Sequence, residues 1–148
     1  TIVGWIKPTN TGSTVPIITF GRWYNAQGCA LYRGGTANAL RFTYYGTSSI
    51  DREPSVTALS GTTPSHIAVT MDGTSLYFYV NGVVVASYLS GLAGVITYTR
   101  ATPNLIVARD VTLGTKFTGT IGEMGVYSRA FSPTEVQLNY LATKWRYR

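Results

Sequence analysis

A chain of 148 residues has room for one domain and little for a second. Hydrophobic residues make up 45% and charged residues only 12%, so a full core can be buried, while the polar surface must come from Thr, Ser, Asn, Gly and Tyr. Twelve Lys and Arg against six Asp and Glu give a net charge of +6. No long run of bases exists, which argues against a nucleic-acid surface and leaves spread solubility charge or an anionic partner such as an acidic glycan.

Short strand-like runs recur about every ten residues between Gly, Pro, Asn and Ser, the spacing of an all-β sandwich or barrel. Ile2 to Lys7 alternates and Pro8 ends the run. "PIITF" makes a second run, closed by Gly21, and an irregular polar-aromatic stretch, "GRWYNAQG", follows. "CALYR" is a third run, "RGGTAN" a turn and "ALRFTYY" a fourth run. Cys29, the single cysteine, has no intrachain disulfide partner and reads as a small buried hydrophobe. Residues 46–64 are rich in Ser, Thr and Gly, which predicts loop with one short strand near Ser55 to Leu59.

"HIAVTMDGTSLYFYVNGVVVASY" predicts a three-stranded antiparallel meander with turns at Asp72-Gly73 and Asn81-Gly82. Its alternation sends Leu76, Phe78 and Val80 toward the core and Tyr77 and Tyr79 to the other face. "GLAGVITYTRATP" is a long connection, "NLIVARD" a further strand, and "FTGTIGEMGVYSRAF" one or two more. A single helix follows. Ser132 is its N-cap, Pro133 its first residue, and Glu135 closes a capping box. Leu138, Leu141 and Trp145 then share one face over two or three turns. In the tail "TKWRYR", Trp145 is expected to pack while Lys144, Arg146 and Arg148 stay solvated. No apolar stretch approaches the ~20 residues of a membrane-spanning helix. The chain opens without Met, directly on a strand-like run, so a segment is expected upstream of Thr1.

Four segments, "TIVGWIKP", "HIAVTMDGTSLYFYVNGVVVAS", "NLIVARD" and "FTGTIGEMGVYSRAFSPTEVQLNY", resemble in order and spacing those of laminin-G-like and concanavalin-A-like jelly-roll domains. The resemblance runs from Thr1 to about Tyr140. It implies an all-β fold, a two-sheet antiparallel β-sandwich of about six or seven strands per sheet, with one short C-terminal helix. It also implies a single domain over residues 1–148 that lacks the family's first strand. That loss would open an edge near Thr1 to Lys7 through which subunits assemble, unless the tail covers it. Gly122 departs from the pattern, standing where the family often has Asp.

Glucanases of this fold, by the same resemblance, carry an E-x-D-x-x-E strand whose paired carboxylates flank the glycosidic bond. Here Glu123 is followed by Met124 and Gly125, and Asp51, Glu53, Asp72, Asp110 and Glu135 are scattered. Asp51 and Glu53 would share a face if extended, but they fall in a stretch read as loop. The chain is therefore read as non-catalytic, with a degenerate glucanase as the weakest alternative. His66 is the single histidine and reads as structural, leaving no zinc set. Many relatives hold calcium on the sandwich rim. That ion needs about six to eight oxygen ligands and finds few anions here, so no cofactor is expected and Asp72 reads as a turn residue.

Binding remains. Aromatic rings stack on the apolar faces of sugars, while Asn, Asp and Arg bond the hydroxyls. Arg22, Trp23, Tyr24 and Asn25 lie in an irregular polar stretch and are the first candidates, with Trp23 folding back to cap the core as the alternative. Tyr45, Asp51 and Arg52 follow, then Tyr77 and Tyr79 on the outward face of the meander. The reading is a recognition or adhesion module for a glycan, on a secreted or particle-surface protein, cellular or viral. Its alternative is a structural building block of a viral or cell-surface assembly, with neighbouring protein subunits as partners.

Overall fold

The computed structural model describes residues 1–9, 13–21, 28–35, 38–54, 59–97, 104–109 and 114–147. The strands are β1 (Ile2–Pro8), β2 (Val15–Phe20), β3 (Cys29–Arg33), β4 (Leu40–Tyr45), β5 (Ser49–Arg52), β6 (Ser65–Met71), β7 (Leu76–Val80), β8 (Val83–Tyr88), β9 (Leu105–Val107) and β10 (Gly119–Val126), followed by helix α1 (Pro133–Thr143). Two five-stranded sheets form, ordered β10-β1-β6-β7-β8 and β5-β4-β3-β2-β9, with antiparallel pairing throughout. The expected sandwich is present, with fewer strands per sheet among the described residues than the resemblance implies. Residues 89–97 account for part of the difference. They cross the β4 end as coil, tied by Thr47 N–H to Ala93 O and Thr97 N–H to Tyr45 O.

Between the sheets lies one core of Ile6, Ile18, Leu31, Phe42, Ile67, Phe78 and their neighbours. The meander follows its pattern. Leu76, Phe78 and Val80 point into this core, and Asn81 and Gly82 both have positive φ, as a two-residue hairpin turn requires. Asp72 Oδ1 accepts from Thr74 N, Ser75 N and Thr74 Oγ1, which makes it the turn residue expected. Fully buried Arg33 donates to Asn38 Oδ1 and the Ser13 carbonyl, both at 2.6 Å, and so ties the end of β3 to the approach to β2.

One strand forms where loop was expected. Ser49–Arg52, read as loop, pairs with β4, while residues 55–58 of the expected Ser55 to Leu59 strand lie outside the described residues. Ile50 is the only apolar side chain in β5, so no alternation marks it and pairing alone makes it a strand.

Helix α1 has the predicted cap. Ser132 Oγ accepts from Glu135 N, and Glu135 reaches back to Ser132 N. The predicted buried face is the wrong one. Leu138, Leu141 and Trp145 are 59%, 43% and 65% exposed, and the seam against the sheet is Val136, Asn139, Tyr140 and Thr143. The reason lies in the outer face of β1 and β6, which presents a buried imidazole and an indole N–H. Asn139 Oδ1 meets His66 Nε2 at 2.9 Å, Trp5 Nε1 donates to Thr143 Oγ1 at 2.9 Å, and Tyr140 packs against both rings. A buried polar group needs a partner, and a leucine face supplies none.

Tyr147, not Trp145, anchors the tail. A 3₁₀ turn over Lys144–Tyr147 lays the Tyr147 ring on Trp5 at 4.6 Å and 19°. Strand β10 carries one extra residue opposite Trp5, between the pairs Gly4–Met124 and Ile6–Ile121. Within that bulge Glu123 N–H donates to Tyr147 Oη at 2.9 Å, and the Glu123 carboxylate holds Arg146 at 2.8 Å. A Cβ at Gly122 would lie 2.6 Å from the Tyr147 ring. The glycine that departs from the family pattern thus makes room for the tail. Strand β1 lies between β10 and β6, so the edge expected at Thr1 to Lys7 is not an edge; β10 and β8 are.

Two measurements check this docking. Gly122→Asp should cost about 1–3 kcal/mol in denaturant titration by displacing Tyr147, and should be nearly silent when Tyr147 is already alanine; additive losses would refute the steric link. His66 is held below the ordinary histidine value of 6.5, chiefly by burial and against the opposing bond from Asn139. Unfolded His66 takes up a proton that the folded residue refuses. Stability should be flat above about pH 6.5 and fall below it by at most about 1.4 kcal/mol per pH unit. His66→Gln should remove that slope.

Candidate functional site

The outer face of the β5-β4-β3 half-sheet follows from strand alternation. Leu40, Phe42 and Tyr44 face inward, so Arg41, Thr43 and Tyr45 face out. Pairing aligns Tyr32 with Arg41 and Thr43 with Asp51. Arg41 Nε donates to Asp51 Oδ1 at 2.9 Å and its terminal nitrogen to Asp51 Oδ2, a two-pronged contact, while Glu53 Oε2 lies 3.8 Å from the same Nε. The three side chains are 30%, 42% and 26% exposed, so the group stands at the rim of bulk water. The Asp51 bond raises the Arg41 pKa above its ordinary value, so the cation is permanent.

Two polar atoms beneath this group are buried without a partner: Glu53 Oε1 and Thr43 Oγ1. Glu53 is seated against Gly34, where a Cβ would meet Oε1 at 2.1 Å. At the far end, Tyr45 N–H donates to Gly28 O and Gly28 N–H to Thr97 O. Arg22, Trp23, Tyr24 and Asn25 lie outside the described residues, but Gly28 is the described residue that follows their segment, and it is bonded to Tyr45. The arrangement offers carboxylate lone pairs and guanidinium hydrogens, with the half-buried phenol of Tyr45 on the same face. It can hydrogen-bond a polyhydroxylated ring. As a glycosidase pair it fails, because the Arg41 guanidinium occupies the space between the two carboxylates.

Of the predicted ligand residues, Tyr45 and Asp51 share this face. Arg52 does not. Its guanidinium donates to the Asp51 and Gly91 carbonyls and lies 5.4 Å over the Tyr88 ring, clasping edge strand β5 to edge strand β8. Adjacent strand residues point to opposite faces, so Asp51 and Arg52 could not both have served. Tyr79 is withdrawn as well. It is 1% exposed and packs with Val3, Ala68 and Val136 beneath α1. Tyr77 stays half-buried beside it, on the sheet opposite the Arg41 group. Arg41 and Glu53 were missed, although the every-second-residue spacing of Arg41, Thr43 and Tyr45 was there to be read. The described residues contain no cluster of three metal-ligating side chains.

Comparison with known proteins gives consistent fold-level results. The family model described as the concanavalin A-like lectin/glucanases superfamily matches residues 1–137. The CBM40 domain of the Ruminococcus gnavus IT-sialidase, bound to α2,3-sialyllactose, superposes with a TM-score of 0.75 at 18% identity, covering 94% of this chain and 80% of that one. A leech intramolecular trans-sialidase gives 0.72 at 16% identity, over 93% of this chain and 22% of that one. The binding domain of botulinum neurotoxin serotype G gives 0.64 at 21% identity, over 96% of this chain and 36% of that one. No curated protein sequence matches.

Arg52→Ala should separate structure from binding. Losing the β5–β8 clasp should lower stability by roughly 1–2 kcal/mol in thermal or urea unfolding, with no change in any ligand affinity of the Arg41 face measured at 10–15 °C below the new midpoint.

Proposed function

Because the chain belongs to the concanavalin A-like lectin/glucanase superfamily, we propose that it is a non-catalytic recognition module that binds glycans through the outer face of β3, β4 and β5. One observation carries this reading: Arg41 is held between Asp51 and Glu53, at the water boundary, with half-buried Tyr45 on the same face of β4. A preorganised ion pair loses little freedom on binding, so its remaining donors and acceptors are ready for sugar hydroxyls. The neighbour solved with sialyllactose supports a glycan as the ligand class. Among the described residues of this face two carboxylates outnumber one guanidinium, which favours a neutral, hydroxyl-rich glycan over an acidic one.

Arg22, Trp23, Tyr24 and Asn25 belong to the proposal because their segment leads in the chain to Gly28, whose carbonyl accepts from Tyr45 N–H. No catalysis is proposed, since among the described residues the paired carboxylates, Asp51 and Glu53, have the Arg41 guanidinium between them. A secreted or particle-surface setting suits the low charge of the chain. Among the described residues no helix is long and apolar enough to cross a membrane.

A second reading, assembly with other subunits, is favoured by exposed apolar side chains on an open edge. Strand β8 ends its sheet and exposes Val83 and Val84, and α1 with its tail exposes Leu138, Leu141 and Trp145.

A glycan array followed by calorimetry decides between them. Binding to neutral oligosaccharides should weaken about tenfold or more in Asp51→Asn and Arg41→Ala, and Arg41→Lys should fail to restore it because the two-pronged contact is lost. An array blank for neutral and acidic glycans alike, with concentration-dependent self-association abolished by Val83→Lys, would favour the assembly reading instead.

A further inference from the structure

Strand β8 ends its sheet, and among the described residues no strand pairs with its outer side. Natural sheets guard such edges with charge, proline, a bulge or a covering element. Val83–Tyr88 has neither charge nor proline. No charged side chain occurs anywhere in residues 73–99, in a chain of net charge +6. The strand's irregularity is Val85, the extra residue between the pairs Phe78–Ala86 and Tyr79–Val84.

Exposed apolar side chains are concentrated beside this edge. Of the eleven large ones among the described residues, Val83, Val84 and Leu89 lie on or just after β8, and Leu138, Leu141 and Trp145 lie on α1 and its tail. The edge and the helix form one surface. Val84 pairs with Tyr79, so both side chains stand on the face that α1 covers. A Cβ at Gly82, in the turn into β8, would lie 3.0 Å from the Tyr140 ring of the helix. At the far end of the stripe Arg146, over the Trp145 ring, is neutralised by Glu123.

We propose that a second copy of this chain covers this surface, with β8 meeting β8 antiparallel, edge to edge, across a two-fold axis normal to the sheet. This rests on the assembly reading above, gives it a partner, and does not depend on what the Arg41 face binds. Two chains of charge +6 repel one another, so close contact between copies is favoured where neither carries charge, as along β8. An uncharged apolar surface is its own complement, and a two-fold closes the assembly at two copies. The Val85 bulge shortens the new ladder and leaves most of the contact to side chains. The axis keeps both α1 helices on one face, so their leucine stripes flank the seam from either side. It keeps both second sheets on the other face. There Arg52 clasps β5 to β8, through the Gly91 carbonyl and the Tyr88 ring, which makes β5 the strand of its sheet tied to the seam. The two Arg41 groups then face the same way, and a repeating glycan that spans them gains avidity without new contacts.

The test is sedimentation velocity of the full chain over a range of concentrations, without glycan, with thermal midpoints to show that each variant is folded. A monomer–dimer equilibrium is expected. Val84→Lys should weaken it about tenfold or more, and so should Leu141→Lys. Val107→Lys, at an exposed valine on β9 at the far edge of the second sheet, should leave it unchanged. Charge exchange is the sharper measurement. Val84→Glu and Val84→Lys should each be largely monomeric alone and should form a mixed dimer when combined, as a contact between two copies of one strand requires. The proposal is overturned by a monomer at every concentration, by growth beyond two copies, or by the absence of a mixed dimer. Association that Val84→Lys and Leu141→Lys leave unchanged overturns it too. A dimer whose glycan array is blank keeps this contact and removes the glycan reading, and glycan binding by a strict monomer does the reverse.

Discussion

The register of β7 between its two turns governs the rest of the molecule. Asp72 caps one end through its side chain, and Asn81-Gly82 reverses the chain at the other. Between them a slip of one residue would exchange Leu76, Phe78 and Val80 for Tyr77 and Tyr79. That slip would empty the inter-sheet core and place phenols in it. With the register held, β7 serves two packed layers at once. Its inner side chains meet the second sheet, and Tyr79 on its outer side meets Val136 of the helix.

The helix is held by polar complementarity more than by grease. Its buried seam pairs Asn139 with His66 and Thr143 with Trp5, and the tail adds a stacked Tyr147 whose hydroxyl takes up the N–H of the β10 bulge. A seam of this kind is specific in rotation about the helix axis, because only one face carries the partners. It also leaves the leucine face outside, which gives the domain an apolar exterior next to an open strand edge.

The basic charge takes on a different meaning once partners are known. Arg33, Arg41, Arg52, Arg129 and Arg146 are each bonded within the chain, to carbonyls, an amide oxygen or carboxylates. These cations fasten loops, edges and the tail. The net charge of +6 is therefore weak evidence for an acidic ligand, and among the described residues of the Arg41 face two carboxylates meet one guanidinium. Arginine suits this internal use because its planar fork satisfies several acceptors in fixed geometry.

Alternation and turn chemistry are local, and the sequence alone determined what depends on them: an all-β sandwich, the meander and its inward residues, the turn role of Asp72, and the capped start of the helix at Ser132. Strand β5 was illegible because Ile50 is its sole apolar side chain, and the polar seam of α1 was illegible because leucine spacing marks an apolar stripe without saying what lies opposite. Period two divides a strand into two faces but does not say whether the outer one meets water. The tertiary structure decided that Tyr79 is roofed by a helix, that Asp51 turns outward to Arg41 while Arg52 turns away to Tyr88, and that Gly122 is small because a tyrosine 25 positions later must lie over it. Each of these is set by a contact between residues distant in the chain, and no local pattern encodes such a contact.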